Sequence, residues 1–328
     1  MVTSAFTLKE ISALPQFKDY GSIIIPSEGS MSEMTLKQFA AVSCWNAHSM
    51  ADGYNRLLEI AKEGRKIYYP LWSKNEISED SSLKERFLVH FSIGEKAPFV
   101  VVCAGGGYMG CASMIEAYPA CVHLNRLGYH AFALNCRCGE NAEAPNPQDD
   151  MAYTISYILK NADALGVDTA QYAVAGFSAG GHLAACFGTE AIGWKHYDLP
   201  APSAVFLAYP VVTMGEKTHA QSKEMFLGKE NARNEKLIRL YSAEEQITSE
   251  YPQTFVWQCE RDNAVPIENT RMLVRALSEN NVPYVYETFD SDAHGWGAGD
   301  GTLAEGWIER AVSFWEKSQG YKTSKRKR

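Results

Sequence analysis

The chain has no apolar run long enough for a membrane helix. Its longest, at residues 99–104 and 201–209, fall far short of the ~20 residues a bilayer demands. The first residues carry no basic stretch followed by an apolar core, so the sequence reads as lacking a secretory signal, and a cytoplasmic location is expected. Excess positive charge is absent too. The formal net charge is −8, which argues against nucleic acid as the main partner. The exception is a basic tail at residues 321–328, expected to be disordered; without its five Lys and Arg residues the body stands at −13.

Cysteine is sparse, eight in 328 residues, and most lie in apolar segments, which excludes a disulfide framework. Cys136 and Cys138 are the only close pair. One residue between them on an expected strand is not the two-residue spacing of zinc or redox motifs, so free buried thiols are expected and no metal site.

What is present is the material of one large core: 46% hydrophobic and 21% charged residues. A length of 328 residues slightly exceeds what one core supports, roughly 250–300, so one large domain with a decoration is expected. Short runs rich in β-branched and aromatic residues predict strands at 66–71, 86–91, 99–104, 130–135, 172–175, 204–209, 254–259 and 284–289. Met151, Ile155, Ile158 and Leu159 follow a helical stripe between two of them, as do Leu273, Ala276 and Leu277. A third stripe is Leu303, Trp307, Ile308, Ala311, Phe314 and Trp315. Strands apolar at every position need helices on both faces, so the fold class is α/β: an open, mostly parallel sheet of about eight strands.

Residues 1–63 stand outside this alternation. Tyr54, Leu57, Leu58 and Ala61 form one helical stripe and Leu36, Phe39 and Ala40 begin another, with Gly53 between them. An N-terminal helical extension packed on a body at 64–320 is expected. The polar stretch 214–251 is too long for an ordinary connection and reads as a cap insertion or a surface excursion.

The sharpest motif is Gly176-Phe177-Ser178-Ala179-Gly180-Gly181-His182, between an expected strand and an expected helix. A serine on a tight strand-to-helix turn needs small residues two positions away on each side, because side chains there collide across the turn. The turn lifts the hydroxyl off the sheet and sets the Ala179 N–H at a helix N-terminus, facing developing negative charge. Such a serine needs a base and an acid from later strands. Asp262 follows the strand at 254–259, and His294 follows the last strand in a small glycine-containing loop. All three candidates leave the same sheet edge, where open α/β sheets place their sites. Taken singly, Asp262 reads equally as a helix cap and His294 as a loop residue. Glu260 is the rival acid, with Asp290 and Asp292 behind it, and His182 reads as buried and hydrogen-bonded.

Gly105, Gly106 and Gly107 follow the strand at 99–104, and consecutive glycines let backbone N–H groups approach a ligand oxygen. The same loop offers a second reading. Gly105, Gly107 and Gly110 match a dinucleotide fingerprint, and Arg137 could take a phosphorylated ribose, making the chain an NADP-dependent oxidoreductase. That reading lacks the ribose-binding acid and leaves Ser178, Asp262 and His294 unexplained.

Together, Ala104-Gly105-Gly106-Gly107-Tyr108, Leu134-Asn135-Cys136-Arg137, Gly176–His182, Asp262-Asn263-Ala264-Val265-Pro266 and His294-Gly295 resemble the bacterial α/β-hydrolase esterases. The acetyl-esterase and xylan-esterase branch, related to hormone-sensitive lipase, is the most similar. The resemblance covers residues 66–317. It implies the α/β-hydrolase fold, Ser178 as nucleophile, His294 as base and Asp262 as its partner. It further implies Gly106, Gly107 and Ala179 as the oxyanion hole, and no cofactor. The chain departs from the family pattern at Ala104, where proline or histidine is usual, and at Cys136, where tyrosine is usual. The expected activity is hydrolysis of small-acyl, acetyl-type esters, including sugar esters, with Tyr108 and Trp296 narrowing the acyl pocket. The partner is then a small-molecule or carbohydrate ester; no membrane partner is expected, and homo-oligomerisation is compatible with this reading. The same scaffold also serves peptidases of the prolyl-oligopeptidase type and binding proteins without catalytic activity, and both compete with the esterase reading.

Overall fold

The computed structural model describes residues 1–26, 28–42 and 45–318, so the basic tail lies outside the described residues. Eight strands form one sheet: β1 (Tyr68–Pro70), β2 (Phe87–Phe91), β3 (Ala97–Cys103), β4 (His130–Asn135), β5 (Val167–Phe177), β6 (Ala204–Ala208), β7 (Gln253–Cys259) and β8 (Tyr284–Phe289). The order is β1-β2-β4-β3-β5-β6-β7-β8. β1 and β2 pair antiparallel, β2 also runs antiparallel to β4, and every later pairing is parallel. Each expected strand is present, and the sheet is mostly parallel as the unbroken apolar runs required.

The alternation within β3 explains those runs. Val100 and Val102 point into one core and Phe99, Val101 and Cys103 into the other, so each face of the strand needs its own cover. One core lies beneath the N-terminal segment, α1 (Ala47–Lys62), α2 (Ala117–Arg126) and a final helix. The other lies beneath α3 (Asn146–Lys160), α4 (Ser178–Phe187) and the helix after β7. The insertion at 214–251 contributes α5 (Ala220–Leu227) and α6 (Glu235–Leu240); α7 (Glu268–Glu279) and α8 (Trp307–Ser318) complete the layers. No helix among the described residues is long and apolar enough to cross a membrane.

The N-terminal segment shares the main core rather than forming its own. Leu8, Ile11, Phe17, Ile24 and Leu36 are buried in the same cluster as Phe87 and Tyr118, and the Tyr118 hydroxyl donates to the Ile24 carbonyl at 3.0 Å.

Two expectations need correction. Gly53 lies inside α1 rather than between two helices: a Cβ there would sit 2.9 Å from the Tyr118 Cβ, so glycine is what lets α1 approach α2. Leu303 is exposed and outside α8, which begins only after Gly306 turns the chain at φ 76°.

Candidate active site

β5 runs directly into α4, and Ser178 at the junction adopts φ 49°, a left-handed conformation costly for a residue with a Cβ. The flanking glycines permit it. A Cβ on Gly176 would meet the Gly180 carbonyl oxygen at 2.2 Å, and one on Gly180 would meet the Cys103 and Ala104 carbonyl oxygens at 2.3 Å. The collision inferred from spacing is therefore with backbone, which cannot step aside.

Asp262 and His294 arrive from the ends of β7 and β8. His294 Nδ1 lies 2.9 Å and 3.0 Å from the two Asp262 carboxylate oxygens, and His294 Nε2 lies 2.8 Å from Ser178 Oγ. An Nδ1–H donating to the carboxylate leaves Nε2 free to accept from the serine hydroxyl, so the three groups form one directed chain. The Asp262 side chain is fully shielded. Its Oδ1 accepts from the Ala264 and Val265 amides at 2.9 Å, and its Oδ2 accepts from Gln258 Nε2 at 3.0 Å. Three donors keep the buried carboxylate satisfied and aimed.

The rival acids go elsewhere. Glu260 accepts from Thr288 Oγ1 at 3.0 Å, and Asp290 pairs with Arg261. His182 is sealed, with Nε2 on the Tyr241 carbonyl and Nδ1 on the Tyr108 hydroxyl, each at 2.7 Å. Burial lowers its pKa to about 4, so it stays neutral and structural.

The glycine loop passes against the serine. A Cβ on Gly105 would come within 2.8 Å of Ser178 Cβ, and Gly106 and Gly107 take φ 121° and 64°. Glu116, which no pattern in the sequence singled out, anchors this loop: its Oε2 accepts from the Gly105 amide at 2.6 Å and its Oε1 from the Tyr209 hydroxyl at 2.8 Å. Burial pushes its pKa up to about 7, against the pull of those two donors.

Tyr108 points into the core rather than to an open surface. It is buried, stacked on Phe226 and bonded to His182, so its expected acyl-pocket role is corrected to packing. Trp296 is half-buried, stacked on Trp257 beneath the His294 loop. Sequence reasoning also passed over His219. Its imidazole lies 3.8 Å from where a Gly107 Cβ would sit and feels the charges of His294 and Asp262, which places the insertion beside the site.

The dinucleotide reading loses its ribose ligand. Arg137 is buried, with its guanidinium on the Asp150 carboxylate at 2.9–3.1 Å and its amide on the same carboxylate at 2.8 Å. A guanidinium held so has no fork left for a phosphate.

A sheet of this order, with a serine on the β5–α4 turn and partners after β7 and β8, defines the α/β-hydrolase class. The chain belongs to the BD-FAE family, whose profile matches residues 90–277. It is 30% identical over 249 residues to endo-1,4-beta-xylanase B of Butyrivibrio fibrisolvens, covering 72% of this chain and 39% of that protein. It is 27% identical over 225 residues to an acetylxylan esterase of Xylanibacter ruminicola, covering 67% of this chain and 45% of the other. The chain thus spans less than half the length of these two relatives. Among solved structures, the acetyl ester-xyloside bifunctional hydrolase of Caldicellulosiruptor lactoaceticus aligns with a TM-score of 0.68 at 29% identity, over 77% of this chain and 96% of that one.

Proposed function

We propose that the protein is a serine carboxylic-ester hydrolase acting on small-acyl, acetyl-type esters, with acetylated sugars as the substrate class. The observation that carries this reading is the unbroken hydrogen-bonded chain from Ser178 Oγ through His294 to Asp262. Ser178 attacks the ester carbonyl while His294 Nε2 takes its proton; Asp262 holds the tautomer and stabilises the imidazolium that forms. The negative charge on the former carbonyl oxygen is met by backbone N–H groups of Gly106, Gly107 and Ala179. His294 returns the proton to the departing alcohol, and water activated by the same base then releases the acid. No metal or organic cofactor is required.

The sugar-acetate assignment is supported by the names of two similar proteins, an acetylxylan esterase and an acetyl ester-xyloside hydrolase. The insertion at 214–251 acts as one wall of the site, through His219.

The test is hydrolysis of nitrophenyl esters of increasing acyl length and of acetylated xylo-oligosaccharides, with Ser178→Ala beside wild type. Turnover is expected to be highest for acetyl esters and to fall on the order of 10⁴–10⁶-fold in the variant. Full activity in Ser178→Ala overturns the reading. An inactive wild type with bound sugar esters supports a binding protein instead.

A further inference from the structure

The close pair Cys136 and Cys138 has a third neighbour that its spacing could not reveal. Cys111, from the loop that continues the glycine run, brings its Sγ to 3.9 Å from Cys136 Sγ and 3.6 Å from Cys138 Sγ. All three sulfur atoms lie within 4.8 Å of one another. A tetrahedral ion with metal–sulfur bonds of about 2.3 Å has sulfur–sulfur edges of about 3.8 Å. The two measured separations bracket that edge.

We propose that Cys111, Cys136 and Cys138 form a three-thiolate site for a soft divalent cation of the Zn²⁺ and Cd²⁺ class, with the fourth coordination position left to water or an added ligand. Binding replaces the thiol protons by the cation and releases them to solvent. Thiolate sulfur selects soft ions over Mg²⁺ or Ca²⁺.

The surroundings suit this use. Both segments are held before any ion arrives. The Ala112 amide closes on the Gly105 carbonyl at 2.9 Å, the Cys138 amide donates to Glu85 at 2.9 Å, and the Gly139 amide donates to the Tyr108 carbonyl at 2.8 Å. Cys111 and Cys138 are half-buried rather than sealed, and Cys111 lines a cavity of 370 Å³ with Gly106, Gly110 and Asn135, which supplies an entry path. A disulfide between Cys111 and Cys138 would instead require closure to ~2.05 Å and an oxidant, and would leave Cys136 without a role.

This inference is independent of the ester-hydrolase reading, because it is read by binding. The fully reduced chain, kept anaerobic, is titrated with CdCl₂ while thiolate-to-metal absorbance and thermal unfolding are followed. One equivalent of Cd²⁺ is expected to bind, to stay bound against excess Mg²⁺ or Ca²⁺, and to raise the melting temperature. Cys111→Ser and Cys138→Ser should each weaken binding on the order of 100-fold, whereas Cys121→Ser, deep in the opposite core, should bind as wild type does. Circular dichroism of each variant without metal checks that it is folded. A reduced wild type that takes up no Cd²⁺, or folded Cys111 and Cys138 variants that bind it undiminished, overturns the proposal.

Discussion

The Tyr209 hydroxyl donates to Glu116 Oε1 at 2.8 Å, and this bond joins the two loops that flank Ser178. On one side Glu116 holds the Gly105 amide; on the other the Tyr209 oxygen accepts from the Gly297 amide at 3.1 Å, and its ring packs edge-on against His294 at 5.1 Å between centroids. Tyr209 takes φ 41° to reach this position. The glycine loop and the histidine loop are thereby braced against each other through two buried side chains.

Glu116→Ala should lower kcat by about 10–100-fold with little change in KM, since it removes a brace and no substrate contact. Glu116→Gln, which keeps an acceptor for Gly105, should recover much of that loss. The raised pKa also fixes a sign. The folded state holds this proton more tightly than the unfolded chain, so Glu116 lowers stability as pH rises from the ordinary carboxylate value through about 7. Denaturant melts of wild type and Glu116→Gln across that window should diverge, the variant being the flatter.

Asp262→Asn is expected to cut turnover on the order of 10⁴-fold, because an amide cannot hold the imidazole in the accepting tautomer. Glu260→Gln, exposed and bonded to Thr288, should stay within about 2-fold of wild type. Equal losses in steady-state ester hydrolysis would mean that the acid is misassigned.

His123 sits between Asp300 and Glu309, with ring nitrogens 3.0 Å and 2.8 Å from their oxygens, and so clamps α2 to α8 and the loop before it. Burial opposes its charge, but the two carboxylates outweigh burial and raise its pKa from 6.5 to about 9. A raised histidine pKa contributes stability that is complete below 6.5 and lost as pH climbs through about 9. His123→Gln should therefore cost on the order of 1–3 kcal/mol near pH 6 and much less near pH 9.5, as read from urea melts at both values.

Gly105→Ala introduces a methyl 2.8 Å from Ser178 Cβ and 3.0 Å from both Glu116 Oε2 and the Phe177 carbonyl oxygen. It should destabilise the fold by about 1–3 kcal/mol and displace the serine, so activity falls further than stability does. Thermal melts paired with kcat at a temperature where the variant is fully folded separate the two effects.

The strands were legible because each is a run of β-branched and aromatic residues between turn signals, and a strand buried on both faces cannot hide polar positions. β5 begins five residues earlier than its apolar run, since Asp168, Thr169 and Ala170 extend it at the end remote from Ser178. Gly53 and Leu303 misled for opposite reasons. Glycine in a helix signals a break unless a neighbour, here Tyr118, needs its missing Cβ. Leucine at helical spacing signals burial unless the turn at Gly306 intervenes.

Among the candidate site residues, Ser178, Asp262 and His294, which the structure brings into one hydrogen-bonded chain, were legible because each sits at the end of a strand in a local setting that small residues and turns mark. Local order by itself determined the eight strands, the serine turn and the sheet edge where those three emerge. Only tertiary structure decided that Asp262 rather than Glu260 meets His294, that Glu116 and Tyr209 brace the loops, and that Cys111 joins Cys136 and Cys138. The physical reason is common to all three. Hydrogen-bond and thiol contacts across 27 to 93 residues of sequence leave no periodicity behind, because direction and distance in space, not spacing along the chain, select the partner.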